Sequence, residues 1–296
     1  MNISDDQLAR WAQAPSETEE GKCQATVSRI SKAIQDKFGT SVTIFLQGSY
    51  KNRTNVKQDS DVDIVVRHDD YYFPDTHFLT PNDKTAYESG FQSSSYTFAT
   101  FKNEVFAVLQ SEFGSQVVER IDKCIRVHKN DYRVNADAIP CFVHKRMQTA
   151  YSVGEEGIEF VADSGGHISS FPLQHYDNGV KKNKDTNTKY KSVVRVLKNV
   201  RNNMVDLGQL KDKDMSSFFL ECLVWNVPDS LLDNIYLSTS VKEATKKIWN
   251  DMRNPTVAND YAEVSNLKWL FRGTSVRTPK QAEDFAQKAW NYLGLS

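Results

Sequence analysis

Apolar residues return every three or four positions after Ser16, at Cys23, Val27, Ile30, Ile34 and Phe38. That spacing predicts one long helix with a single stripe facing a core. Gly39 stands where it would end. Ser4 with Gln7, and Ser16 with Glu19, have capping-box spacing at helix starts. Two short β-branched runs follow, VTIFL at 42–46 and VDIVV at 62–66. Both predict strands, joined by the polar, turn-rich stretch QGSYKNRTNVKQDSD. Phe98, Phe101, Val105, Val108 and Leu109 predict a second amphipathic helix, ending near Gly114. Residues 117–127 and 132–143 hold further β-rich pieces, including VNADAIP. From 152 to 187 Gly, Ser, Asp and Asn accumulate and periodic apolar positions thin out. That stretch is expected to be irregular, or a lid-like crossover. From Thr188 onward the helical period dominates to the C-terminus. The fold class is therefore α+β: a mixed sheet with helices over residues 1–187, packed on a helical lobe over 188–296, with a cleft between them.

Composition narrows the function classes. Of 296 residues, 39% are hydrophobic and 25% charged, which suits a globular chain and not a disordered one. Lys+Arg is 37 against Asp+Glu 38, so a generally basic nucleic-acid binder is disfavoured and only a local patch remains open. No apolar run approaches the ~20 residues that span a bilayer, so no membrane partner is expected. The polar, acidic start MNISDDQLARWAQ does not fit a signal peptide. Four cysteines without a CxxC pair suggest neither a zinc site nor a disulfide framework. A soluble, cytoplasmic monomer is the expectation.

The chemistry concentrates around Gly48-Ser49, eleven intervening residues, and Asp61-Val62-Asp63. Residues i and i+2 of a strand share a face. Asp61 and Asp63 would therefore project together, and two converging carboxylates repel unless a cation lies between them. Mg²⁺ suits all-oxygen ligands and shares them with substrate phosphates. Gly48 allows close backbone approach to a phosphate, and the Ser49 hydroxyl can hold one. Asp137, in VNADAIP, is the candidate third carboxylate for a two-metal phosphoryl-transfer site. An isolated DxD is common at strand ends and says little by itself. The Gly-Ser pair at its spacing makes this one more specific.

A basic run holds Lys181, Lys182, Lys184, Lys189, Lys191, Arg195, Lys198 and Arg201. A solvated helix face is the ordinary explanation. Lys198, however, sits among apolar neighbours in VVRVLKNV and could neutralise a triphosphate, while the outer residues could face a regulatory nucleic acid. Ser217 could donate to a phosphate and Phe218 stack on a base, although on periodicity Phe218 or Phe219 would be core. Of the histidines, His175 in FPLQHYDNG stands out. There is no Walker A loop, HExxH or GxSxG elbow.

The stretches LQGSYKNRTN…DSDVDIVV, ADAIP, HYDNGVKKNKDTN, YKSVVRVLKNVR and SSFFLECLVWNVPDS together resemble the bacterial cGAS/DncV-like nucleotidyltransferases (CD-NTases) of the polymerase-β-like superfamily, nearest to clade E. The resemblance implies a nucleotidyltransferase core with a lid in the first lobe. It implies a Gly-Ser loop at Gly48 and Ser49, and metal-binding catalytic acids at Asp61, Asp63 and Asp137. It also implies triphosphate contacts from Lys198 and Ser217, and stacking by Phe218 where many relatives have Tyr. Members of the family make cyclic di- or trinucleotide messengers in anti-phage (CBASS) defence, sensed by a downstream effector. Members like this clade make cyclic dinucleotides. Pyrimidine-using relatives place Asn just before the aromatic-Pro pair of the lid, where this chain has Ser170, so the lean is towards ATP and GTP. Two Mg²⁺ ions, or Mn²⁺ in their place, would be the cofactors. The alternatives are a transferase of the same fold making linear or RNA-end products, and a catalytically silent nucleic-acid-binding module.

Overall fold

The computed structural model describes residues 3–14, 17–56, 61–273 and 275–295. Its elements run in chain order α1 (Asp5–Trp11), α2 (Glu17–Phe38), β1 (Val42–Gln47), α3 (Gly48–Asn52), β2 (Val62–Asp75), α4 (Pro81–Gly90), α5 (Phe98–Phe113), β3 (Val118–Arg120), β4 (Ile125–Val127), β5 (Ala136–Thr149), β6 (Ser152–Val161) and β7 (His167–Ser170). They continue with α6 (Pro172–Asp185), α7 (Lys189–Asp206), α8 (Ser217–Trp225), α9 (Asp229–Leu232), α10 (Leu237–Met252), α11 (Pro255–Asn259) and α12 (Pro279–Leu293). The chain divides into two compact units, one of residues 16–47 and 61–172, the other of residues 1–15, 48–60 and 173–296.

The first unit is the mixed α/β one. Its strands order as β1-β2-β5-β4-β3, with β6 against the later part of β5 and β7 against β6. β2 and β5 run parallel, and the other strand pairs are antiparallel. Val62, Ile64, Val65 and Val66 of β2 are buried, so the strand is covered on both faces. The expected stripe of α2 holds at Cys23, Ile30 and Ile34. Gly39 follows at φ 59°, a left-handed turn that glycine adopts without strain. In α5 the residues Phe98, Phe101, Val105 and Leu109 are buried, each contributing about 1.5–3 kcal/mol of burial. Gly114 caps it, its amide donating to the Gln110 carbonyl.

The second unit is helical. α7 buries Tyr190, Val193, Val194, Val196, Leu197, Val200 and Met204 together with several charged side chains, and it runs through the core against α8, α10 and α12. α1 joins this unit through buried Leu8. Ser4 caps α1 by accepting from the Gln7 amide at 3.2 Å, while the Gln7 side chain turns to Arg10 and leaves the box half made. The box expected at Ser16 lies outside the described residues.

Residues 152–187, expected to be irregular, instead form β6, β7 and α6. Polar residues mislead there. Gly157 is needed because a Cβ would come within 2.4 Å of the Ser170 carbonyl on β7, so it marks a close strand pairing, not a loop. The change of unit falls at residues 172/173, ahead of the 187/188 boundary drawn from periodicity, because α6 groups with the helices after it.

Candidate active site

In the α/β unit, strand register gathers the acids. Asp63 on β2 is paired with Asp137 on β5, and on its other side with Gln47 on β1. Asp137 is paired in turn with Arg126 on β4. Cross-strand partners project from the same face. Gln47, Asp63, Asp137 and Arg126 therefore form one row across four strands, near the N-terminal ends of the parallel pair β2 and β5. Asp61 stands two residues before Asp63, just ahead of β2, with its Oδ1 accepting from Asn135 Nδ2 at 3.1 Å. The Val62 amide donates to the Asn135 carbonyl at 3.1 Å and ties this strand start to β5.

Arg126 is the cation of the row. Its Nε donates to Asp137 Oδ1 at 2.8 Å and its Nη2 to Oδ2 at 2.7 Å, a two-pronged pair. Nη2 is also 3.7 Å from Asp61 Oδ2. The hydrogen bond to Asp137 raises the Arg126 pKa against the opposing effect of burial, with the Asp137 and Asp61 charges adding to the rise. Beside it, burial and then the Asp137 charge push the Cys124 thiol up, so it is no thiolate at neutral pH. Among the described residues, no three His, Cys, Asp or Glu side chains already close around one point as an ion site. The donor chemistry still fits a hard divalent cation. Asp61, Asp63 and Asp137 offer carboxylate oxygens, and a guanidinium held by both Asp137 oxygens and facing Asp61 marks a place that takes positive charge.

The remaining site candidates, apart from Ser170, lie in the helical unit. Gly48 opens α3 at φ 69° and follows Gln47, the register partner of Asp63. The segment is folded back on itself, the Thr54 amide donating to the Ser49 carbonyl at 2.9 Å. Arg195 Nη1 donates to the Arg53 carbonyl at 2.6 Å, and Lys51 lies over the Tyr176 ring at 4.5 Å. Arg195 is held down to about 10, by burial first and then by the Arg53 charge.

Beneath this segment lies a buried polar cluster. Thr54 Oγ1 donates to Glu221 Oε2 at 2.8 Å, and His175 Nε2 is 3.0 Å from Glu221 Oε1. Lys198 Nζ is 3.3 Å from Thr54 Oγ1 and 3.5 Å from Glu221 Oε2. Thr54 and Lys198 are 0% exposed and Glu221 3%. Burial would raise the Glu221 pKa. The Lys198 charge, the His175 hydrogen bond and charge, and the Thr54 hydroxyl outweigh it and hold the group at about 2. Lys198 thus lies in a closed cluster under the Gly48–Asn52 turn.

Ser216 caps α8 by accepting from the Phe219 amide, which leaves Ser217 as the first residue of the helix. Phe219 is core. Phe218 is partly buried, its ring 5.8 Å from that of His175 and the Arg277 guanidinium carbon 4.9 Å from its centroid. Ser170 ends β7 opposite Ile158, so this position is strand and not loop.

The basic run does not form one surface. Five of its eight members are buried: Lys182 on α6, and Lys191, Arg195, Lys198 and Arg201 on α7, which passes through a core. Arg201 donates to the Met215 carbonyl and Arg195 to that of Ala12. Of the outer three, Lys181 pairs with Asp185 and Lys189 donates to the Ile235 carbonyl. Sequence reasoning did not find Arg126, Thr54 or Glu221. The one signal for Arg126 is its place between two apolar residues of a short β run, Ile125 and Val127.

Residues 177–294 match the C-terminal helical domain of cGAS/DncV-like nucleotidyltransferases, and residues 27–133 match a nucleotidyltransferase domain. A cyclic dipurine nucleotide synthase of Elizabethkingia meningoseptica is 46% identical over 294 residues, covering 99% of each chain. A cyclic dipyrimidine nucleotide synthase, CdnE, of Cecembia lonarensis is 33% identical over 294 residues, covering 98% of each. The solved structure of the E. meningoseptica CdnE cyclic dinucleotide synthase with GTP and Apcpp superposes with a TM-score of 0.85 at 44% identity, covering 99% of this chain and 100% of that one.

Proposed function

The chain belongs to the cGAS/DncV-like nucleotidyltransferase family and stands with its CdnE members, and from that premise we propose that it joins two purine nucleoside triphosphates, ATP and/or GTP, into a cyclic dinucleotide. The observation that carries this reading is the register of Asp63 against Asp137, with Asp61 two residues away, in a member of that family. Two Mg²⁺ ions held by Asp61, Asp63 and Asp137, with Mn²⁺ able to substitute, would supply neutralisation of phosphate charge when bound. Asp137 helps activate the acceptor 3′-hydroxyl. The 3′-hydroxyl gives up its proton to Asp137 or to water as its oxygen attacks the α-phosphorus in line, the bond from that phosphorus to the bridging oxygen breaks, and pyrophosphate leaves. A second such transfer closes the ring. Catalysis of this kind is mostly positioning and charge stabilisation.

Ser49 and Ser217 are assigned to the triphosphate. Lys198 acts by charge and by fixing Thr54, since its ammonium is shared with Thr54 and Glu221. Phe218 offers a ring face to a base, in competition with His175 and Arg277. The purine choice is supported by Ser170 and by the 46% identical cyclic dipurine synthase. The product would act as a messenger in anti-phage defence, read by an effector that meets the product and not this chain. The silent nucleic-acid-binding alternative loses ground because most of the 181–201 basic side chains are buried.

The test is purified protein with Mg²⁺ and each labelled NTP, singly and in pairs, with products identified by mass. A phosphatase-resistant cyclic dipurine is expected. A uridine-containing main product would overturn the purine choice, and linear products alone would overturn cyclisation.

A further inference from the structure

We propose that Arg126 is a built-in counter-cation of the acid row, one that must release Asp137 before a divalent ion can use that carboxylate. The inference rests on the proposed ion site and goes beyond it by naming a residue that opposes ion binding.

Three observations carry it. The register fixes Arg126 next to Asp137 on an adjacent strand, so the pair is set by the sheet and not by a chance side-chain excursion. The guanidinium takes both Asp137 oxygens, at 2.8 and 2.7 Å, and reaches to 3.7 Å from Asp61 Oδ2. It therefore already answers the repulsion between these two carboxylates. Asp137 is mostly buried, with its side chain 14% exposed, whereas Asp61 is at 43%. Water alone compensates Asp137 poorly, so its pairing matters more.

A guanidinium and a divalent cation cannot share these oxygens without strong like-charge repulsion. Either the ion binds less tightly, or the fork opens. The sheet offers a second acidic neighbour. Glu119 on β3 is the register partner of Arg126 on its other side, and at present it meets His128 Nε2 at 3.0 Å. Cross-strand partners share a face, so the released guanidinium has an acid to turn to. Arg126 is thus a positioning residue. It offsets part of the acid row's charge and keeps Asp137 ordered while no ion is bound, and the linkage is reciprocal: whatever the pair costs the ion, the ion costs the pair.

The experiment is Mn²⁺ titration followed by electron paramagnetic resonance, without nucleotide, on wild type, Arg126→Met, Arg126→Lys and Asp137→Asn. Melting curves are taken in EDTA and in saturating Mn²⁺. Losing a charge-assisted pair that competes with the ion should tighten Mn²⁺ binding by ~10-fold or more in Arg126→Met. Arg126→Lys should fall between, because it keeps the charge without the fork. In EDTA Arg126→Met should melt below wild type, and Mn²⁺ should narrow or reverse that gap. Unchanged or weaker Mn²⁺ binding in a folded Arg126→Met would overturn the inference while leaving the ion site standing. No Mn²⁺ binding by wild type and Arg126→Met alike, or Asp137→Asn binding Mn²⁺ as tightly as Arg126→Met, would overturn the ion site itself and this inference with it.

Discussion

Replacing Glu221 by Gln keeps the side chain's size and removes its charge. In the native cluster three groups converge on its two oxygens: the Thr54 hydroxyl at 2.8 Å, His175 Nε2 at 3.0 Å and the Lys198 ammonium at 3.5 Å. A Gln at this position offers one acceptor oxygen and an NH₂ that faces donors. It also leaves the Lys198 charge, 0% exposed, without an anion. Removing one partner of a buried ion pair costs about 3–5 kcal/mol, because the other charge stays desolvated. Against a typical stability of about 5–15 kcal/mol, that loss is large. Urea unfolding at pH 7, followed by tryptophan fluorescence, measures it. The double variant Glu221→Gln with Lys198→Met removes the stranded charge, and should recover at least about 2 kcal/mol relative to the sum of the single changes. The pH dependence has a definite sign. The folded-state pKa of Glu221 is depressed from 4.5 to about 2. Its contribution is therefore fully present above pH 4.5 and fades as the pH falls towards 2, so the gap between wild type and Glu221→Gln should shrink over that window. A loss under about 1 kcal/mol at pH 7, or strict additivity in the double variant, would refute the account of this cluster as a closed charge network.

Further consequences are open to direct measurement. Asp61→Asn combined with Asp63→Asn should reduce NTP consumption by at least ~10²–10³-fold, on the scale of losing a main charge-stabilising group, with an unchanged circular dichroism spectrum; undiminished turnover by the folded variant would contradict the assignment of these acids. Gly157→Ala should destabilise by about 1–3 kcal/mol, because its Cβ would meet the Ser170 backbone oxygen at 2.4 Å, and a melting temperature equal to wild type would show that β7 moves aside freely.

Much of the α/β unit was legible in the chain. The stripes of α2 and α5, the strands β1 and β2, and the glycines at 39 and 114 follow from local period and turn chemistry, which a sequence states directly. The stretch from 152 to 187 was not legible. There a glycine serves close strand packing and polar residues fill a helix, so composition pointed to loop where pairing made β6 and β7. The basic run misled for a related reason. Charge is visible in a sequence, but burial of α7 is a property of the helices around it.

The sequence by itself determined which residue types stand at the strand ends, the spacing of Gly48-Ser49 to Asp61 and Asp63, and the change from mixed to helical periodicity. The tertiary structure decided the partners: Asp137 beside Asp63, Arg126 in the fork of Asp137, and Lys198 turned into a cluster with Thr54 and Glu221, the last two 167 residues apart. Helix and strand periods are local and repeat along the chain. Register and burial arise from contacts between distant segments, and no single segment carries them.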